Sequence, residues 1–204
     1  MRSQMLRRGP ILLAWADAPQ RAAGRTSGRM LLRLLVEAVA PGSDPLIERR
    51  CPRCGAEDHG RLHAPHAPVV LSASHAEGLV VVAAVHIDDA ATVGVDVEAL
   101  TGRSPLDELA PLFAPASPPT VAGWTRIEAV LKADGRGLRV APGDVRFAPG
   151  LHDARLPSPL HGPGGSKAED VGTLLATVPG GGLFEVVTLD AIPGTALSIA
   201  IDAR

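Results

Sequence analysis

The chain has 204 residues, 46% of them hydrophobic, and a formal net charge of -2. That length suits one domain or two small similar halves with a sizeable core, and the charge argues against a nucleic-acid binder that works through bulk positive charge. Tyrosine is absent and only three Phe and two Trp occur, so the core must be built from Ala, Val and Leu. No stretch approaches the ~20 apolar residues of a membrane helix. Pro10-Ile-Leu-Leu-Ala-Trp15 is too short for a signal-peptide core. Two cysteines do not make a secreted disulfide framework. These features lead us to expect a soluble, cytoplasmic protein without membrane contact.

Ile11 to Ala16 reads as a first strand, broken at Ala18-Pro19. Gln20 to Ala40 reads as a helix with Met30, Leu31, Leu34, Leu35 and Ala38 on its apolar side, ended by Pro41-Gly42. Arg21, Arg25, Arg29 and Arg33 recur every four residues along it. This is either a solvated face or an anion-facing stripe, because guanidinium groups bind phosphates bidentately. Cys51-Pro-Arg-Cys54 follows, with His59, His63 and His66 nearby. It is half a zinc site by cysteine count, which the histidines could complete; the alternative is a structural turn.

Val69 to His75 reads as a strand running into a polar tip, Ser72-Ala-Ser-His75. Adjacent residues on a strand point to opposite sides, so Ser74 and His75 cannot form a nucleophile–base pair with each other. His75 is the better candidate for a phosphate contact. Gly78 to His86 reads as a buried strand, Ile87 to Thr92 as a turn, and Val93 to Glu98 as the hairpin partner. Asp96 and Glu98, at i and i+2, then point to one side.

The proline-rich stretch from Thr101 to Gly123 reads as a connector with at most one short helix, Leu106 to Leu112. A helix is expected from Val121 to Ala133, with Trp124, Glu128 and Lys132 on one face and Ile127, Val130 and Leu131 on the packing stripe. Asp134-Gly135 and Gly137 stop it. Lys132 is one of only two lysines in an arginine-rich chain, the other being Lys167. Arg and Lys are not equivalent at a phosphate site, so its retention there is informative. Leu138 to Phe147 reads as a strand and Ala148 to Gly182 mainly as loop. A closing hairpin is expected from Leu183–Asp190 and Ala196–Asp202. The order of elements suits an α+β pseudo-duplicate whose halves, 1–102 and 103–204, meet with the acids and the lysine at the seam. Three carboxylates and one lysine, once together, make a hard-cation and phosphate site.

Ser72-Ala-Ser-His75, Gly94-Val-Asp-Val-Glu98 and Trp124-Thr-Arg-Ile-Glu-Ala-Val-Leu-Lys132-Ala-Asp-Gly-Arg-Gly-Leu138 together resemble the 4′-phosphopantetheinyl transferases. The likeness is to the monomeric type that activates non-ribosomal peptide and polyketide synthases. Cys51-Pro-Arg-Cys-Gly and His59-Gly-Arg61 resemble an actinobacterial-style version of the stretch before the Ser-His motif. The similarity spans roughly Arg21 to Leu138 plus the final hairpin.

The resemblance implies two pseudo-symmetric α/β halves with coenzyme A in the cleft between them. It implies transfer of the phosphopantetheine arm to a serine of an acyl or peptidyl carrier protein, with release of adenosine 3′,5′-bisphosphate. Carried over by motif, Asp96, Glu98 and Glu128 would hold Mg²⁺. Glu128 would also serve as base, and Lys132 would steady the transferring phosphate. Ser74 and His75 would contact the 3′-phosphate, with Arg61, Arg25 and Arg29 as further phosphate contacts.

Three departures stand against that pattern. Ile127 occupies the place of a usual lysine, Phe113-Ala-Pro-Ala-Ser117 shortens a usual Phe-x-x-x-Glu element within a short connector, and Ala76 replaces a common serine. Two other readings stand beside that of a transferase, the first motivated by Ile127 and the short connector. One is a relative that binds coenzyme A or a carrier protein without turnover. The other is a zinc-dependent interaction module built on Cys51, Cys54, His59 and His63.

Overall fold

Alternating burial along the strands builds this molecule in layers. The computed structural model describes residues 3–18, 21–51, 53–57, 59–101, 106–150 and 171–203. In chain order the elements are β1 (Ser3–Arg8), β2 (Ile11–Ala18), α1 (Arg21–Val39), β3 (Glu48–Arg50), β4 (Arg61–His63), β5 (Val69–Ala76), β6 (Gly78–His86) and β7 (Val93–Ala99). Then come α2 (Leu106–Leu109), α3 (Val121–Asp134), β8 (Arg146–Pro149), β9 (Val171–Thr177), β10 (Leu183–Leu189) and β11 (Thr195–Asp202). The class is mixed α+β. Among the described residues, one antiparallel sheet has the order β1-β2-β6-β5 and a second has the order β7-β11-β10-β9-β8. A small ribbon pairs β3 with β4.

The period of two sends successive side chains to opposite faces. Ile11, Leu13 and Trp15 of β2 and Leu79, Val81, Ala83 and Val85 of β6 pack against Val93, Val95 and Val97 of β7 and Leu197, Ile199 and Ile201 of β11. That cluster fills the space between the two sheets. The alternate residues Leu12, Ala14, Val80, Val82 and Ala84 pack on Leu31, Leu32, Leu35 and Val36 of α1. The outer face of the second sheet receives α3 through Trp124, Ile127, Val130 and Leu131, with Phe184, Val186 and Ala200 beneath them. The layers therefore run helix, sheet, sheet, helix. With few aromatic residues, the core relies on Val and Ala at close spacing, and Phe113 against Trp124 is an edge-on ring pair with centroids 6.1 Å apart.

Four expectations are corrected here. β7 is not the hairpin partner of β6: it pairs with β11, from Val93↔Ile201 to Ala99↔Thr195. The odd-numbered valines of both strands face each other across the core, so they meet as layers and not edge to edge. The segment 87–92 carries the chain across, held by Thr92 N–H donating to Asp202 Oδ1 at 2.8 Å. On α1 the buried stripe is Leu31, Leu32, Leu35 and Val36, while Met30, Leu34 and Ala38 are exposed. Leu138 to Phe147 is not one strand. Pro142 lacks an amide donor, and short 3-10 turns at Gly137–Arg139 and Pro142–Asp144 precede β8. The segment 148–182 includes the end of β8 and the strand β9, and its part from 151 to 170 lies outside the described residues. Two further elements, β1 and the β3–β4 ribbon, were not anticipated. The connector helix and the closing hairpin stand as read.

One glycine sets how closely the second helix approaches. A Cβ on Gly94 of β7 would collide with the Ala129 carbonyl of α3 and lie 2.7 Å from the Ala133 nitrogen. Only a residue without Cβ lets α3 cross β7 at that distance. The crossing brings residues 128 and 132 of α3 over residues 96 and 98 of β7.

Candidate functional site

The two sheets meet at their edges, where β5 runs beside β7 without a backbone ladder between them. Val70, Ser72, Ser74 and Ala76 form the face of β5 directed at the second sheet. Ser72 Oγ accepts from Val95 N–H at 3.0 Å and Ser74 Oγ accepts from Val97 N–H at 3.4 Å. The serine hydroxyls thus satisfy amides that an edge strand would otherwise leave open.

Ser74 Oγ also donates to Asp96 Oδ1 at 2.7 Å. The same carboxylate oxygen accepts from Lys132 Nζ at 2.7 Å, and Nζ also reaches Ser74 Oγ and the Val95 carbonyl, each at 3.1 Å. Asp96 is 4% exposed. Its second oxygen, Oδ2, is buried and has no hydrogen-bond partner among the described residues.

Glu98 and Glu128 complete the group. Burial chiefly, then the neighbouring Asp96 charge, push the Glu98 carboxyl up to about 7, against the opposing pull of Lys132. Burial also raises Glu128, with Lys132 opposing and Asp96 adding to the shift. When ionised, the three acids and Lys132 sum to two excess negative charges in a poorly solvated place. An unpartnered buried carboxylate oxygen beside two carboxyls reluctant to ionise makes a cluster of hard oxygen atoms, less tightly gathered than the ligand atoms of Cys51, Cys54 and His59.

A cleft of about 410 Å³ opens next to Lys132 and is lined by Arg49, Arg53, Arg61, Arg136 and Arg139. Several of these arginines are anchored in advance. Arg61 donates to the Ala133 carbonyl at 3.0 Å, at the C-terminal end of α3 where free carbonyls carry partial negative charge. Its guanidinium lies against Gly135, where a Cβ would approach to 2.8 Å, and Gly135 itself has φ of +81° as the left-handed cap of the helix. Arg136 forms a two-pronged pair with Asp134, Nε to Oδ2 at 2.7 Å and the second nitrogen to Oδ1 at 2.9 Å. Arg139 Nε donates to the Arg136 carbonyl at 2.8 Å. A second groove, lined by Phe113, Ser117, Arg126, Ile127 and Phe147, follows the connector.

Of the residues singled out in the sequence, Ser74, Asp96, Glu98, Glu128 and Lys132 come together at the seam, and Arg61 joins Lys132 in the adjoining cleft. His75 points to the other side of β5, exposed, with its Nε2 3.7 Å from where a Gly28 Cβ would stand. Arg25 and Arg29 are exposed on α1 and do not line the cleft. Ile127 is buried with the packing stripe, turned away from the acids. Reading of the sequence missed Ser72, Arg49, Arg53, Arg136 and Arg139. Ser72 stood two residues before Ser74 and so on its face of the strand; Arg49 sits on the three-residue strand β3 and the other arginines in loops and short turns, segments too short for a periodic signal.

Cys51, Cys54 and His59 form a compact group whose ligand atoms all lie within 4.8 Å of one another. His63, at the far end of β4 opposite Glu48, does not join them. No protein-family model matches the chain, and no curated protein matches it. Among the described residues no helix is long and apolar enough to cross a membrane.

Proposed function

We propose that the protein is a 4′-phosphopantetheinyl transferase, moving the phosphopantetheine arm of coenzyme A onto a serine of an apo carrier protein. The observation that carries this reading is Asp96, with one oxygen held by Ser74 and Lys132 and the other buried and unpartnered beside Glu98 and Glu128. An acidic triad joined through Lys132 to an arginine-lined cleft suits a substrate with a pyrophosphate and a further phosphate. The layered arrangement, with the acids on one sheet edge and the serine motif on the other, is compatible with the two-half fold that the motifs suggest.

Asp96, Glu98 and Glu128 would hold Mg²⁺, which supplies charge neutralisation on the pyrophosphate when bound. The chain's own groups do the rest. Arg61, Arg136 and Arg139 bind the phosphates of the nucleotide part, and their prior anchoring limits the entropy lost on binding. Lys132 offers its ammonium to the transferring phosphate. The carrier serine Oγ attacks the phosphorus that bears the pantetheine arm. The new P–O bond forms as the bond to the bridging pyrophosphate oxygen breaks, and adenosine 3′,5′-bisphosphate leaves with that oxygen. The serine proton passes to Glu128, one helical turn from Lys132 on α3. The groove beside Phe113 and Ser117 offers an apolar surface to the carrier protein.

The test is incubation of the purified protein with coenzyme A, Mg²⁺ and an apo carrier protein, followed by mass spectrometry of the carrier. A gain of ~340 Da, the mass of one phosphopantetheine, that disappears when Mg²⁺ is chelated is the expected result. No gain across several carriers, with coenzyme A still bound, would replace the transferase with a non-catalytic coenzyme A binder.

A further inference from the structure

We propose that Cys51, Cys54 and His59 bind one zinc ion, and that this ion clamps the arginine-bearing β3–β4 ribbon into the wall of the basic cleft. The three ligand atoms already lie within 4.8 Å of one another, with Cys54 Sγ 3.3 Å from His59 Nε2. In a tetrahedral site with Zn–S of about 2.3 Å and Zn–N of about 2.0 Å, ligand atoms stand roughly 3.5 Å apart. Only small side-chain movements are needed to close the group on an ion.

The backbone around Cys51 is shaped for a metal-bound thiolate. The amides of Arg53 and Cys54 point their N–H groups at the Cys51 sulfur. Gly55 N–H donates to the Cys51 carbonyl at 2.9 Å and Cys51 N–H donates to Ala56 at 2.8 Å, closing the turn around the two sulfurs. Gly55 takes φ of +72°, which lets the chain leave the turn after Cys54. Gly60 takes φ of +101° and presses on the Cys51 backbone, where a Cβ would lie 2.6 Å from the Cys51 Cα. That contact is what returns His59 to the two cysteines. Two sulfurs and an imidazole nitrogen select zinc over the hard cation suited to the carboxylates, so this is a separate site with separate chemistry.

Among the described residues no fourth Cys, His, Asp or Glu joins the group. The location gives the ion a purpose. β3 and β4 are three residues each, too short a ribbon to hold its shape alone. Yet this ribbon and its turn present Arg49, Arg53 and Arg61 to the cleft, and Cys51 and His59 line the same cleft. An ion joining residue 51 to residue 59 ties the two ends of the connecting turn across the ribbon.

The experiment uses the full chain, reduced, stripped with a chelator and titrated with zinc and then with cobalt(II). We expect about one equivalent of zinc per chain, a cobalt spectrum with thiolate charge-transfer and tetrahedral ligand-field bands, and a higher melting midpoint with zinc. Cys51→Ser, Cys54→Ser and His59→Ala should each weaken binding at least tenfold. Zinc should slow amide exchange across residues 61–63 at least tenfold. The site is overturned if the reduced wild-type chain, both thiols titrating as free, binds less than about a tenth of an equivalent. It is also overturned if the Cys51→Ser/Cys54→Ser variant binds as well as wild type. Unchanged exchange at residues 61–63 would overturn the clamp. None of these measurements depends on transfer activity, so the zinc site and the proposed reaction stand or fall separately.

Discussion

Lys132 Nζ lies 2.7 Å from Asp96 Oδ1, the same oxygen that accepts a hydrogen bond from the Ser74 hydroxyl at 2.7 Å. Asp96 is nearly fully buried and Lys132 is partly exposed, so the pair holds one oxygen in place while the other is buried without a hydrogen-bond partner among the described residues. The relationship makes Asp96 both a structural and a chemical centre, and variants can separate the two roles. Asp96→Asn keeps a partner for Ser74 while removing the charge. We expect at least a ~100-fold loss of transfer in Asp96→Asn and in Glu128→Gln. Asp96→Asn should cost about 1–3 kcal/mol, because Lys132 loses its ionic partner. Circular dichroism and melting would show the fold kept, and a carrier-modification assay would show the loss. Full activity in either variant would break the site assignment.

Glu98 predicts a pH dependence in the metal-free protein. Its carboxyl rises from an ordinary 4.5 to about 7 on folding. Below 4.5 both folded and unfolded chains keep the proton, and the shift contributes nothing to stability. Between 4.5 and about 7 the folded chain holds a proton that the unfolded chain has released, so stability falls as pH rises. Above that window the loss is complete. Urea midpoints measured across the window should decline in wild type and decline less steeply in Glu98→Gln, where the raised Glu128 carboxyl remains. Added Mg²⁺ should also flatten the decline, because a bound cation favours the ionised form. Parallel curves for wild type and Glu98→Gln would remove Glu98 from the cluster.

Gly94 should not tolerate a methyl group. A Cβ there meets the backbone of α3 at Ala129 and Ala133, neither of which can rotate away. We expect Gly94→Ala to cost at least ~2 kcal/mol by chemical denaturation. Transfer should fall further than the melting temperature alone would explain, because α3 carries Glu128 and Lys132. A neutral Gly94→Ala would mean that the helix approaches differently.

Replacing Ile127 with lysine would not restore a basic residue to the cleft. Ile127 is 6% exposed and packs with Phe113, Trp124 and Val145. The position borders the groove beside Phe113 and Phe147 and not the basic cleft, so a lysine there loses apolar packing, and the variant should melt below wild type and gain no affinity for coenzyme A by calorimetry. Tighter binding in a stable variant would show that the position reaches the cleft.

Arg61 joins the ribbon to the end of α3 through the Ala133 carbonyl. Arg61→Ala should raise KM for coenzyme A by about tenfold, with a smaller effect on kcat. Arg61→Lys should recover little of it, since one ammonium cannot cap the helix end and meet a phosphate as a planar guanidinium does. An unchanged KM would take Arg61 out of the binding surface.

Much of the site was readable from periodicity. Asp96 and Glu98 share a face because strands repeat every two residues, and Glu128 and Lys132 share one because helices repeat every 3.6. The separation of Ser74 from His75 followed from the same rule. These regularities live between near neighbours in the chain, so no knowledge of the fold is needed to see them. The partners of β7, by contrast, depend on which sheet edge is free and on how the chain crosses at 87–92. The contact between Lys132 and Asp96 spans 36 positions, and that between Arg61 and Ala133 spans 72. The cleft arginines at 136 and 139 are held by turns after α3 and obey no repeat. Ile127 looked like a missing charge in the motif, yet packing turns it into core. Local pattern settles which residues share a face; which faces then meet is decided by burial and close packing among distant residues, here above all by the absence of a side chain at Gly94.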